Sequence, residues 1–204
     1  GSGDRLLEAL GPQFNRLRAQ WETESGVELR SVDRLVGTLF ASEAAPPRFA
    51  WVVYLKEAIE AGDLAAKWQD VETAEQDGHE YFKGKTWAYL VPERGEGKVF
   101  VMVAPSDVKE TFEAKGLPPV LRADLQRLIR ESDQDRHVTL CGAPNFLYSE
   151  LFREGRSYYF GDGQRVGDPL KSILGDDLQA VSLSMHLDGN FYWEIRLVSN
   201  QNVD

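Results

Sequence analysis

Leu7, Leu10, Phe14, Leu17 and Trp21 recur at alternating three- and four-residue steps, the apolar stripe of an amphipathic helix. Gly11-Pro12 interrupts that stripe. Proline is tolerated in a first turn, so a short helix followed by a second one starting near Pro12 fits equally, and Gly26 ends it. Residues 35–40 and 49–55 then read as two buried strands joined by a loop holding Pro46-Pro47, and residues 62–68 as a short crossing helix. From 71 to 103 the pattern is that of a β-meander. Asp77-Gly78 is a two-residue hairpin signal, because both central positions of a type I′ turn need positive φ. Residues 99–103, Val-Phe-Val-Met-Val, are apolar at every position, which predicts a central strand covered on both faces. Helices are expected at 107–114 and after Pro118-Pro119, and a strand at 136–141.

The sharpest pattern lies near the C-terminus. Val181, Leu183, Met185 and Leu187 alternate with Ser182, Ser184 and His186. Phe191, Trp193, Ile195 and Leu197 alternate with Tyr192, Glu194 and Arg196. Side chains change face at every residue of a strand, so the register can be deduced. A three-residue loop, Asp188-Gly189-Asn190, sets Leu187 opposite Phe191, Met185 opposite Trp193 and Leu183 opposite Ile195. A two-residue turn would oppose apolar to polar positions throughout. The other face then carries His186 opposite Tyr192, Ser184 opposite Glu194 and Ser182 opposite Arg196.

These elements predict an α+β fold: an antiparallel meander and hairpins with helices packed on one side. Residues 4–145 form one α+β domain in this reading. Residues 146–204, a loop, a short helix opened by Asp168-Pro169 and the last hairpin, join the same sheet or start a second unit. Residues 27–40 and 174–187 share apolar placement, the mark of an incomplete second repeat.

The chain has 204 residues, 42% hydrophobic and 27% charged, with a net charge of −10. That composition supports a folded core and argues against a nucleic-acid partner, which would need clustered Lys and Arg. No run of 18 apolar residues predicts a membrane span. Gly1-Ser2-Gly3 reads as a cloning remnant, and the absence of an initiating Met as a fragment of a longer chain. The one cysteine, Cys141, makes neither an internal disulfide nor a multi-thiolate site, and reads as a small buried residue.

Catalytic motifs are missing. Lys83-Gly84-Lys85-Thr86 has the end of a phosphate-binding loop, but its earlier glycine is replaced by His79 and a strand, not a helix, follows. His79, His137 and His186 each have a carboxylate nearby in sequence but no metal-ligand spacing. Ser182 and Ser184 lack a nucleophile elbow, and Asp133-Gln134-Asp135 lacks the glycine and terminal glutamate of a calcium loop. No catalytic residue, cofactor or metal is therefore assigned. The candidate interaction surface comprises Tyr158, Tyr159 and Phe160, displayed in a polar Gly- and Asp-rich stretch, with His186, Tyr192 and Glu194 on one strand face.

Residues 135–140 (DRHVTL), Asn145-Phe146-Leu147, residues 174–184 (LGDDLQAVSLS), Asn190-Phe191 and residues 194–197 (EIRL) resemble extracytoplasmic regions of large planctomycete-type membrane-anchored proteins. Some members of that group carry a cytoplasmic serine/threonine kinase domain. The resemblance implies a tethered, extracytoplasmic module and supplies no functional residues; kinase signatures are absent from this chain. The function read from the sequence is a non-enzymatic ligand-sensing or protein-interaction module, its partner a protein or small ligand. The alternatives are a hydrolase using a histidine with nearby carboxylates, and an architectural spacer repeat.

Overall fold

The computed structural model describes residues 11–42, 45–92, 95–117, 121–132, 136–143, 178–188 and 190–199. They fall into two compact units, residues 11–117 and 121–199. The sequence boundary at 145 lies further along the chain, because strand alternation does not say which sheet the strand near 140 joins.

In the N-terminal unit, α1 (Gly11–Ser25) starts with Pro12 in its first turn and stops at Gly26, whose φ of +71° is the left-handed end that glycine adopts without strain. β1 (Val32–Ser42), β2 (Ala45–Leu55), α2 (Ala61–Ala65), β3 (Glu72–Gln76), β4 (His79–Lys83), β5 (Ala88–Leu90), β6 (Val99–Val103) and α3 (Val108–Glu113) follow. The six strands form one antiparallel sheet in the order β1-β2-β6-β5-β4-β3. Asp77 and Gly78, at φ +53° and +80°, make the expected hairpin turn between β3 and β4. Pro46 and Pro47 lie inside β2 rather than in a loop. Proline has no N–H to give a ladder, and these two sit at a register shift opposite 40–42, outside the stretch that pairs with β6.

β6 is central and buried on both faces. Phe100 and Met102 pack with Val27, Val53, Leu55, Leu64, Trp68 and Tyr89. Val103 packs on the opposite side with Tyr81, Ala88, Leu90 and Val108. The expected α+β class and antiparallel meander hold, and the helices are divided between the two faces: α2 and the end of α1 cover one, α3 the other. An apolar strand on both faces requires cover on both.

Aromatic donors hold the end of α1. Trp68 Nε1 donates to the Ser25 carbonyl at 2.8 Å, Tyr89 Oη to the Glu24 carbonyl at 2.6 Å and Trp87 Nε1 to Glu24 Oε2 at 2.9 Å. The last carbonyls of a helix have no partner within it, so the bonds from Trp68 and Tyr89 remove a cost that burial would otherwise impose. A Cβ on Gly26 would come within 2.9 Å of Lys67 Cβ and 3.0 Å of the Trp68 ring, so the close seating of Trp68 also needs glycine there.

The C-terminal unit contains α4 (Ala123–Glu131), β7 (Val138–Gly142), β8 (Leu178–Asp188) and β9 (Asn190–Ser199). Its antiparallel sheet has the order β7-β8-β9. The β8–β9 register is the one deduced from alternation: Leu187↔Phe191, Met185↔Trp193, Leu183↔Ile195, His186↔Tyr192, Ser184↔Glu194 and Ser182↔Arg196. β7 adds Val138↔Met185, Leu140↔Leu183 and, on the other face, Thr139↔Ser184 and Cys141↔Ser182.

Candidate functional site

The two faces of the C-terminal sheet are occupied in a way that reverses the usual sense of such alternation. α4 lies against β8 and β7. The row beneath it is made of small residues: Ala180, Ser182 and Ser184 are 0%, 2% and 5% exposed. Leu128 of α4 is buried with them at 2%. Small side chains let a helix approach a sheet closely, so Ala and Ser are suited to this row. The apolar row faces outward: Leu140, Trp193, Ile195 and Leu197 are 57%, 57%, 50% and 52% exposed, and Val181, Leu183 and Met185 between them are only half-buried.

A polar cluster continues the helix-covered face past the C-terminal end of α4. Arg196 Nη1 donates to the Glu131 carbonyl at 2.8 Å, placing a cation where the negative end of the helix dipole favours one. Arg196 Nε also donates to Glu194 Oε1 at 3.0 Å, while Arg136 Nη2 lies 4.0 Å from Glu194 Oε2. The Arg136 guanidinium sits 4.9 Å from the centroid of the Tyr192 ring. His137 and His186 lie with ring centroids 4.6 Å apart. Glu194 is therefore flanked by two guanidiniums, each of its oxygens facing one.

His186, Tyr192 and Glu194, the three strand residues of the sequence-derived surface, thus share one face and one neighbourhood. Arg136 and His137 belong with them: the sequence names His137 as one of three histidines but places neither residue on this surface. Their signal appears only when β7 is set beside β8, since continuing the register by one residue brings His137 next to His186. Tyr158, Tyr159 and Phe160 lie outside the described residues.

Ser182 and Ser184 are buried beneath α4, away from any approaching substrate. Among the described residues, no group of three or more His, Cys, Asp or Glu side chains is placed to hold a metal. Burial raises the Cys141 thiol above its ordinary value, which lowers its thiolate content at neutral pH. His79, the third histidine, stacks on Phe112 at 4.8 Å in the N-terminal unit. Lys83 ends β4 and Gly84 donates to the Trp87 carbonyl at 2.9 Å, so Gly84-Lys85-Thr86 is a turn leading into β5. None of the described helices is long and apolar enough to cross a membrane.

No protein-family model matches the chain, and neither a curated protein nor a solved structure is found to match it.

Proposed function

We propose that the chain is a non-enzymatic protein-interaction module whose working surface is the uncovered apolar row of the C-terminal sheet. One observation carries this reading: Leu140, Trp193, Ile195 and Leu197 stand on a single sheet face and are each at least half exposed. A large apolar side chain gains roughly 1.5–3 kcal/mol when fully buried. Four of them on one face therefore leave stabilisation that a partner can recover, and contiguous apolar surface on a folded domain is characteristic of contact sites. Trp193 is the natural anchor, because tryptophan dominates the energetics of many interfaces. Glu194 and Arg196, pointing to the opposite face, fix the strand that presents the row. The extracytoplasmic setting implied by the resembling strand segments is part of the same proposal.

Selection from a displayed library of random peptides tests it, with the full chain as target and its Ile195→Lys variant as counter-target. Apolar peptides that bind the parent and lose at least about tenfold in affinity on the variant are expected, a change of about 1.4 kcal/mol. Enrichment of peptides indifferent to Ile195→Lys, Trp193→Ala and Leu140→Ser would overturn the assignment of this face.

A further inference from the structure

β9 is the outer strand of its sheet among the described residues. It is ten residues long and contains neither proline nor lysine, and its two charges, Glu194 and Arg196, are of opposite sign, so they blunt the edge only against strands that do not match them. An open edge of this kind offers backbone donors and acceptors to another strand. The side chains of β9 specify which strand would fit.

From this we infer that β9 pairs with β9 of a second copy of this chain, antiparallel, about a two-fold axis passing through Ile195. The inference rests on the interaction-module reading and names its partner. Antiparallel pairing of two identical strands is self-complementary, so the position of the axis alone sets every cross-strand pair. With the axis at Ile195, Glu194 stands opposite Arg196 of the second copy, and Arg196 opposite its Glu194. Trp193 then faces Leu197 of the second copy, and Tyr192 faces Val198. Trp193, Ile195 and Leu197 each meet an apolar residue, and both charges meet their opposites.

Neighbouring registers fail on charge or pattern. An axis at Glu194 opposes two carboxylates, and one at Arg196 opposes two guanidiniums. An axis between residues sets the apolar row of one copy against the polar row of the other, since the side-chain period is two. One register near the middle of the strand satisfies both requirements. It also covers the outer flank of Trp193, Ile195 and Leu197, which are exposed at 57%, 50% and 52% in the single chain. The result is a six-stranded sheet with one continuous apolar ribbon.

Sedimentation of the full chain over a range of micromolar concentrations should show a species of about twice 23.0 kDa. Glu194→Arg alone and Arg196→Glu alone should each weaken association at least about tenfold by opposing like charges, and the double exchange should restore it. Glu194 and Arg196 also bond within their own chain, so a second measurement keeps the test decisive if those variants fold poorly. In a Cys141→Ser background, Ile195→Cys should link to itself across the axis through a short thiol crosslinker. Trp193→Cys and Leu197→Cys should not self-link, because each lies about 13 Å from its own copy, four residues of strand rise. An equal mixture of those two variants should link. A monomer at every concentration, or equal self-linking at all three positions, would overturn the pairing. A monomer that still selects peptides against Ile195→Lys would do so while leaving the binding face intact.

Discussion

β6 in the N-terminal unit, apolar at every position, and β9 in the C-terminal unit, where apolar and polar residues alternate, both present large apolar side chains, and the two strands end in opposite conditions. Phe100 and Met102 of β6 are 0% and 1% exposed, whereas Trp193 and Ile195 of β9 are 57% and 50% exposed. The difference comes from position in the sheet and from what lies above each face. β6 has β2 and β5 on its flanks and packed clusters on both sides. β9 has β8 on one flank, and its sheet receives α4 over the small-residue row instead of the apolar one. Hydrophobicity selects the strand, while topology decides whether the strand becomes core or surface.

The largest effect separating the two follows at once. Phe100→Ala should destabilise the N-terminal unit by roughly 3–5 kcal/mol, the range for deleting a fully buried aromatic ring. Ile195→Ala should cost about 1 kcal/mol or less, since half of that side chain is already in water. Denaturant titration of both variants at a concentration where the parent is monomeric measures the contrast. Equal costs would show that β9 is covered in the folded chain, and the comparison would fail.

A smaller effect sharpens the account of the N-terminal core. Burial, with the Glu24 charge nearby, pushes the Tyr89 hydroxyl up to about 12. In the unfolded chain a tyrosine loses its proton near pH 10. Between about pH 10 and 12 the unfolded state therefore binds fewer protons than the native state, and stability falls as pH rises. The Tyr89 contribution is complete below pH 10 and is lost on passing through about 12. Tyr89→Phe should flatten that part of the stability profile, although it also removes the bond to the Glu24 carbonyl and lowers stability at neutral pH. A parent and variant with parallel profiles from pH 9 to 12 would remove Tyr89 as the cause.

Much of this architecture was legible in residue order. The Asp77-Gly78 turn, the central place of β6 and the β8–β9 pairs from Ser182↔Arg196 to Leu187↔Phe191 follow from local chemistry and a period of two, whereas the register shift between Leu178 and Ala180 does not. What local order leaves open is which distant strand is adjacent. Nothing around Arg136 and His137 announces that β7 pairs with β8, so their approach to Glu194 and His186 was hidden. Alternation also names two faces without saying which one a helix will cover. Ser182 and Ser184 read in the sequence only as alternating polar strand positions, and they are the ones buried under α4. The half of the candidate surface formed by His186, Tyr192 and Glu194 was readable for one reason: all three lie on the same two adjacent strands.

The smallest effect concerns how α4 is held over that serine row. Burial alone would raise the Asp124 carboxyl, but hydrogen bonds from the Arg122 side chain and the Leu125 backbone, with the Arg122 charge, outweigh it and hold the group below the usual carboxylate range. Arg122 Nη2 donates to Asp124 Oδ2 at 2.8 Å and to Gln179 Oε1 at 2.8 Å, so this pair ties the start of α4 to the start of β8. With the folded value depressed, the unfolded chain takes up the proton first as pH falls. The stabilisation is present at neutral pH and fades as pH drops through the ordinary carboxylate range near 4 and below. Asp124→Asn should therefore lower the melting temperature of the C-terminal unit slightly at pH 7 and have less effect at pH 2.5. Because the pair is partly solvated, added salt should narrow the gap at pH 7. If α4 instead stays in place through Leu128 alone, parent and variant will melt together at both pH values, and the C-terminal unit will resemble the N-terminal one in relying on burial.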